Sequence, residues 1–233
     1  MSNFHFNLTI VKEIFTVALP ATLEESILSV LTIGINAMLS IVAGVTAVAV
    51  YTAGWRIVSL GIIPAIGIEG ALLTVAGIAY GAKNFKNLEL SFNYAIKLGV
   101  IISLGISLVI YIFAPNIAWL FSYSSNSGDI APMIAQFLRI FCVFFMAIPF
   151  GLASNAVFQA AGKGTTSLFL VIIRDLILSL VVAYILGFIF HLGELGVYWG
   201  IVSGVIIGSV VSYLYFRLFL RELKKVENTT SIN

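Results

Sequence analysis

Glu25 is the residue of this sequence best placed to do chemistry. Thr22, Glu25, Ser29, Thr32, Asn36 and Ser40 recur at intervals of three and four residues, which sets them on one face of a helix. The opposite face, through Leu28, Leu31 and Ile35, is apolar. Glu25 lies about eleven residues into its apolar stretch, or roughly 16 Å at 1.5 Å per residue, which is close to the middle of a bilayer. Arg56, in the next stretch, reaches a comparable depth from the other side. Glu24 points about 100° away from Glu25 and reaches the interface.

Two chemistries fit this arrangement. A static Glu25 to Arg56 pair would neutralise two buried charges across neighbouring antiparallel helices. Alternatively, Glu25 exchanges a proton or a bound cation as its surroundings alternate between wet and dry, because desolvation and nearby cations move a carboxyl in opposite directions. A polar stripe that crosses most of a membrane helix belongs beside water, substrate or another polar helix. Other polar groups carry less. Arg139 and Arg174 lie within snorkelling distance of headgroups, Asp175 reads as a local or interhelical partner of Arg174, and Glu69 as an interfacial carboxylate. Ser154, Asn155 and Gln159 cluster at the cytoplasmic end of their stretch. There is no phosphate loop, zinc-ligand spacing or nucleophile elbow, so no enzyme chemistry, cofactor or metal is indicated. His5 and His191 have no ligand-spaced companions, and Gly162-Lys163-Gly164 is a turn.

The elements that position these residues are six apolar stretches, at roughly 14 to 38, 47 to 80, 90 to 114, 132 to 158, 166 to 190 and 196 to 220. Each exceeds the roughly 20 residues that a hydrocarbon core requires. The 233-residue chain is 61% hydrophobic and 9% charged, with a mean hydropathy of +1.11, which excludes a water-soluble domain. The reading is an all-α integral membrane protein, a single six-helix transmembrane bundle over residues 1–225 with a disordered tail over 226–233. The first, third and fifth connections (Ser40 to Thr46, Pro115 to Ala131, His191 to Leu195) lack Lys and Arg. The second and fourth carry Lys83, Lys86 and Lys163, and the tail adds Arg217, Arg221, Lys224 and Lys225. By the positive-inside rule both termini are cytoplasmic. The net charge of +2 serves topology and lipid headgroups rather than nucleic acid. Cys142 is the only cysteine, so no intramolecular disulfide forms.

Two features predict how the helices meet. Pro64, flanked by Gly61 and Gly67, and Pro149, beside Gly151, each remove a backbone donor inside a span and predict kinks. Gly196, Gly200, Gly204, Gly208 and Ser212 recur at every fourth residue. A stripe of small residues lets another backbone approach closely, here within the same bundle in preference to a dimer seam.

The order of motifs is that of a known family. Val48-Ala49-Val50-Tyr51-Thr52-Ala53-Gly54-Trp55-Arg56, then Pro64, Gly67, Gly70, Gly77 and Gly81-Ala82-Lys83-Asn84, resembles the second helix of a lobe in the multidrug and toxic compound extrusion (MATE) transporters. Leu19-Pro20 and Phe158-Gln159-Ala160-Ala161-Gly162-Lys163-Gly164 are similar to the same family, and Trp55-Arg56 resembles its C-terminal lobe. The resemblance implies two six-helix lobes, a cleft between them, and export of small organic, often cationic, compounds against sodium ion or proton entry at the cell membrane. It also implies that Glu25, or Glu24 if the register slips by one, joins the cation site. Only one lobe is present, so the resemblance implies a second one, as a homodimer or a separately encoded N-terminal half. The alternatives are a lipid-linked substrate flippase, a non-transporting accessory subunit or an inactive fragment.

The topology is open to direct measurement. In a Cys142-free protein, a cysteine at residue 125 should react with a membrane-impermeant thiol reagent added outside intact cells, while one at residue 84 should not; labelling at 84 alone would invert the assignment.

Overall fold

A computed structural model describes residues 8–122 and 130–230, with side chains placed over 15–120, except 17, and 130–225. Every described element is helical. With no water in a hydrocarbon core to satisfy N–H and C=O groups, an apolar chain must satisfy them internally, and the helix does so locally. Five helices are long and apolar enough to cross a membrane. They are α1 (Leu8–Gly81), α2 (Phe85–Ser122), α3 (Ile130–Ala160), α4 (Gly164–Ile189) and α5 (Gly193–Thr230).

The expected count of six separate helices is therefore off by one. Residues 40–46 form no loop: helical geometry is interrupted only at Gly44, whose φ of 78° and ψ of −169° fall in a region that is essentially glycine's alone. The chain doubles back there. Thr32 and Tyr51 touch, and Glu24 interacts electrostatically with Glu69; on a straight helix the latter two would be roughly 68 Å apart. One residue with the right dihedrals replaces a connection of several.

Other boundaries also move. Pro115 was expected to end the third stretch, yet α2 continues through it to Ser122, because the neighbouring helix packs on Ala114 and Ala118, both fully buried. Pro64 and Pro149 sit inside continuous helices too. At Pro149 the missing donor is accompanied by a close fit, since a β-carbon on Gly99 of α2 would lie 2.8 Å from the proline Cβ. The tail expected to be disordered from 226 is helical to Thr230, where α5 simply carries on past its apolar part; residues 231–233, like most of the external loop at 123–129, lie outside the described residues. The three tight turns between described helices carry positive φ, at Lys83 (53°), at Gly162 (71°), and at His191 (53°) with Gly193 (65°), and Asn84 caps α2 by accepting a bond from the Asn87 N–H at 3.0 Å.

The interior consists of two apolar clusters. One gathers Leu31, Ile35, Tyr51, Phe137, Phe141, Ala183 and Tyr198, with Phe137 and Phe141 stacked at 4.2 Å. The other gathers Leu72, Phe85, Phe92, Phe158 and Phe216, with Phe92 and Phe216 stacked at 3.7 Å. Along α1 the switch between clusters falls between Ala65 and Leu72, along α3 between Ile148 and Ala153, and along α5 between Val205 and Phe216. A polar layer occupies that seam.

The glycine stripe of α5 runs along α4. A β-carbon would lie 2.2 Å from Ala183 Cα at Gly200, 2.5 Å from Ser179 Cα at Gly204 and 2.5 Å from the Leu186 carbonyl oxygen at Gly196. These are backbone contacts with no rotamer to relieve them.

Two substitutions probe this architecture through the melting temperature of the purified protein. Gly44→Ala meets no atom within 4 Å, so its expected cost of about 1 to 3 kcal/mol is purely torsional, whereas Gly77→Ala, equally unobstructed in a regular helix, should be neutral or slightly stabilising. Gly204→Ala should destabilise by a similar margin, because even one methyl group forces two helix backbones apart; an unchanged melting temperature would show that α4 and α5 tolerate separation.

Candidate functional site

The seam between the two apolar clusters holds a buried charge. Arg174 lies ten residues into α4, roughly 15 Å from its start, and is only 7% exposed. Its helix widens over Ile172–Leu178 into a π turn, a distortion often found at functional sites. Within that turn Arg174 reaches its sequence neighbour Asp175: Nε donates to Oδ1 at 2.9 Å and Nη2 to Oδ2 at 2.8 Å. The Ser179 hydroxyl donates to the Arg174 carbonyl, five residues back, at 3.1 Å.

Room for the guanidinium comes from glycine on two other helices. A β-carbon at Gly151 of α3 would lie 2.1 Å from Arg174 Nη1, and one at Gly208 of α5 would lie 2.4 Å from its Cγ. Gly151 of α3 and the last glycine of the stripe thus form one slot. Arg174 Nη1 has no partner among the described residues, nor does the adjacent Ser209 hydroxyl.

Acidic groups approach from α1. Gln159 Nε2 donates to Glu24 Oε2 at 3.1 Å, while Oε1 of the same carboxylate is buried without a partner. Ser167, fully buried at the start of α4, sits beside Glu24 with its hydroxyl free of a well-formed bond. Glu69, from the returning limb of α1, interacts electrostatically with Arg174, Glu24 and Glu25. It lines a cavity of about 10 Å³ with Ala65, Leu72, Gly99, Pro149 and Ala153, room for about one water molecule. Asp175 thus binds the guanidinium directly, while Glu69 and Glu24 interact with it electrostatically.

The residues singled out from the sequence divide between two places. Thr22, Glu25, Ser29 and Ser40 are exposed, and Thr32 and Asn36 half-buried. Of the opposite apolar face, Leu31 and Ile35 are buried in the core, as is Leu39, whereas Leu28 is exposed. Thr22 and Thr32 turn their hydroxyls back onto carbonyls of their own helix, at 2.9 and 2.8 Å, and Asn36 Oδ1 is buried without a partner. Arg56 is exposed, and no ion pair joins it to Glu25 among the described residues. Glu24, one position away and so turned by about 100°, is the acid that points inward. Arg174 does not snorkel: with glycine slots on α3 and α5 and a carboxylate beside it, the interior satisfies it better than the interface. Ser154 and Asn155 are buried, whereas Arg139 is exposed and lies 5.6 Å over the Tyr111 ring. The Arg174 and Asp175 pair was visible in the sequence as two charges in an apolar run. What would have marked it as internal is its small-residue partners, Gly151 and Gly208.

Residues 20–185 match the MatE family. The chain is 24% identical over 205 residues to a probable multidrug resistance protein, NorM, of Thermotoga maritima, covering 88% of this chain and 43% of that protein. It superposes on an outward-facing multidrug resistance MATE family transporter of the MOP superfamily at 37% identity and a TM-score of 0.92, over 97% of this chain and 50% of that one. An inward-facing structure of a transporter so described matches at 37% identity and a TM-score of 0.87, over 95% and 50%. The chain thus spans about half the length of the relatives it matches.

Proposed function

The chain belongs to the MatE family, and we propose that it is one lobe of a secondary transporter that exports small organic compounds, cationic ones included, across the plasma membrane in exchange for sodium ions or protons. Members of this family are transporters rather than enzymes. The observation that carries the reading is the outward face of α1. Thr22, Glu25, Ser29 and Ser40 are exposed on a helix otherwise fit for lipid, and a carboxylate with hydroxyls on both sides is costly against hydrocarbon. That face suits a water-filled cleft shared with a second six-helix lobe, either another copy of this chain or an N-terminal half.

Alternating access follows from such a pairing. The lobe resembles outward-facing and inward-facing structures alike, as expected when two lobes rock about a central site as near-rigid bodies. Substrate contacts the cleft face, where Glu25, Asn36 and Arg56 offer charge and amide groups, and both termini lie in the cytoplasm. The coupling ion occupies the interior, where Glu24 has a free buried oxygen beside Ser167. This assigns coupling to Glu24 rather than Glu25.

In proteoliposomes containing this chain and its second lobe, Glu24→Gln should reduce gradient-driven transport of a fluorescent organic cation to background while leaving the melting temperature within a few degrees of the parent. Glutamine keeps the shape and the bond to Gln159, but it cannot neutralise a cation or exchange a proton. Glu25→Gln should alter apparent substrate affinity and retain coupling. Full transport by the Glu24 variant would remove the coupling assignment.

A further inference from the structure

Arg174 is built into the protein at considerable cost. Burying an isolated ion pair in an apolar interior costs several kcal/mol per ion before its Coulomb energy is recovered, and an apolar replacement is often as stable or more so. Two glycines and a π turn are devoted to this side chain, so stability alone is a poor account of it. The bond pattern adds a second fact. Asp175 takes up Nε and Nη2 and leaves Nη1 with no partner, in a side chain more than nine-tenths buried. Close by, Glu24 Oε1 and the fully buried Ser167 hydroxyl are also unpartnered.

The charges facing this region can be stated helix by helix. Glu24, Glu25 and Glu69 come from α1, and Asp175 from α4; α3 contributes the neutral Gln159 and Asn155, and α5 the neutral Ser209. In the apolar interior around Arg174, which is only 7% exposed, Asp175 offsets part of the guanidinium charge through Nε and Nη2, and among the described residues Arg174 is the cation whose charge reaches Glu24 and Glu69. In such a medium the field of Arg174 is felt strongly by both.

We propose that Arg174 is a built-in counter-ion of the coupling site: its guanidinium supplies to Glu24 and Glu69 part of the positive charge that a bound ion supplies, and so weakens that ion's binding and eases its release. Glu69 is the second carboxylate through which this competition acts. The proposal rests on the reading that Glu24 carries the coupling ion. A site that must load on one side of the membrane and unload on the other is served by an affinity held below the maximum its ligands could give, and a resident positive charge does that without moving a ligand.

Sodium chloride is the probe, titrated against N-methylglucamine chloride at constant ionic strength, with the melting temperature of the chain in lipid nanodiscs as readout. Arg174→Gln should lower the sodium concentration for half-maximal stabilisation about tenfold or more relative to the parent. Adding Glu69→Gln should return it towards the parent value. A folded Arg174→Gln with an unchanged sodium response, or a shift that persists in the double variant, would overturn the proposal. Should Arg174→Gln not fold, the pairs Arg174→Gln with Glu69→Gln and Arg174→Gln with Asp175→Asn decide the matter. Recovery with the Glu69 change supports the proposal; recovery only with the Asp175 change, or with neither, makes Arg174 the private partner of Asp175 and overturns it. The coupling reading fails separately, by full transport in Glu24→Gln.

Discussion

A guanidinium held in the middle of a membrane bundle demands space, partners for its donors and compensating charge, and the structure around Arg174 answers the first and third while meeting the second at Nε and Nη2 but not at Nη1. Space comes from Gly151 and Gly208, whose missing side chains leave a slot between α3 and α5. The bidentate partner comes from the next residue, Asp175, within the π turn over Ile172–Leu178. Compensation extends to Glu69 and Glu24 on α1. Four chain segments far apart in sequence thus converge on one side chain.

The apolar packing is organised around this point. The aromatic clusters, one holding the Phe137 and Phe141 stack and the other the Phe92 and Phe216 stack, lie to either side of the charged layer and do not merge across it. Interiors pack densely and transmit strain, so a change in charge within the layer reaches both clusters. The α4 and α5 backbones approach too closely for even a methyl group at Gly200 and Gly204, which ties the arginine-bearing helix to its neighbour along its length. On the opposite side, Glu89 accepts a bond from Arg217 at 2.7 Å and also binds Lys224, fastening the end of α5 to the start of α2. The bundle is thus closely packed around its charged layer and polar on the outward face of α1.

Two acids next to each other in sequence acquire different surroundings through helix geometry alone. Glu25 lies on the exposed stripe and Glu24 on the bundle side, where Gln159 and Ser167 meet it. A single turn of α1 therefore presents one acid to the bundle interior and one to its outer face. The hairpin at Gly44 brings Glu69 back to the same level, so both limbs of α1 contribute to one site.

The sequence by itself determined that this chain spans a membrane as a helical bundle, because length and hydropathy of each stretch are local properties and hydrocarbon permits few other solutions. It also carried the polar periodicity of the first stretch, the small-residue stripe of the last and the order of motifs shared with the MATE transporters. Tertiary structure alone decided which way these features point. Periodicity shows that Thr22, Glu25 and Ser29 share a face, yet it is silent on whether that face meets the bundle or the outside, and this choice exchanges Glu25 for Glu24 at the interior site. Depth counted along α4 places Arg174 within reach of the interface, yet its direction was settled by Gly151 and Gly208, which lie 23 residues before it and 34 after it in the sequence. A side chain's environment is made by contacts between distant segments, and such contacts leave no mark on the local pattern until the helices are packed.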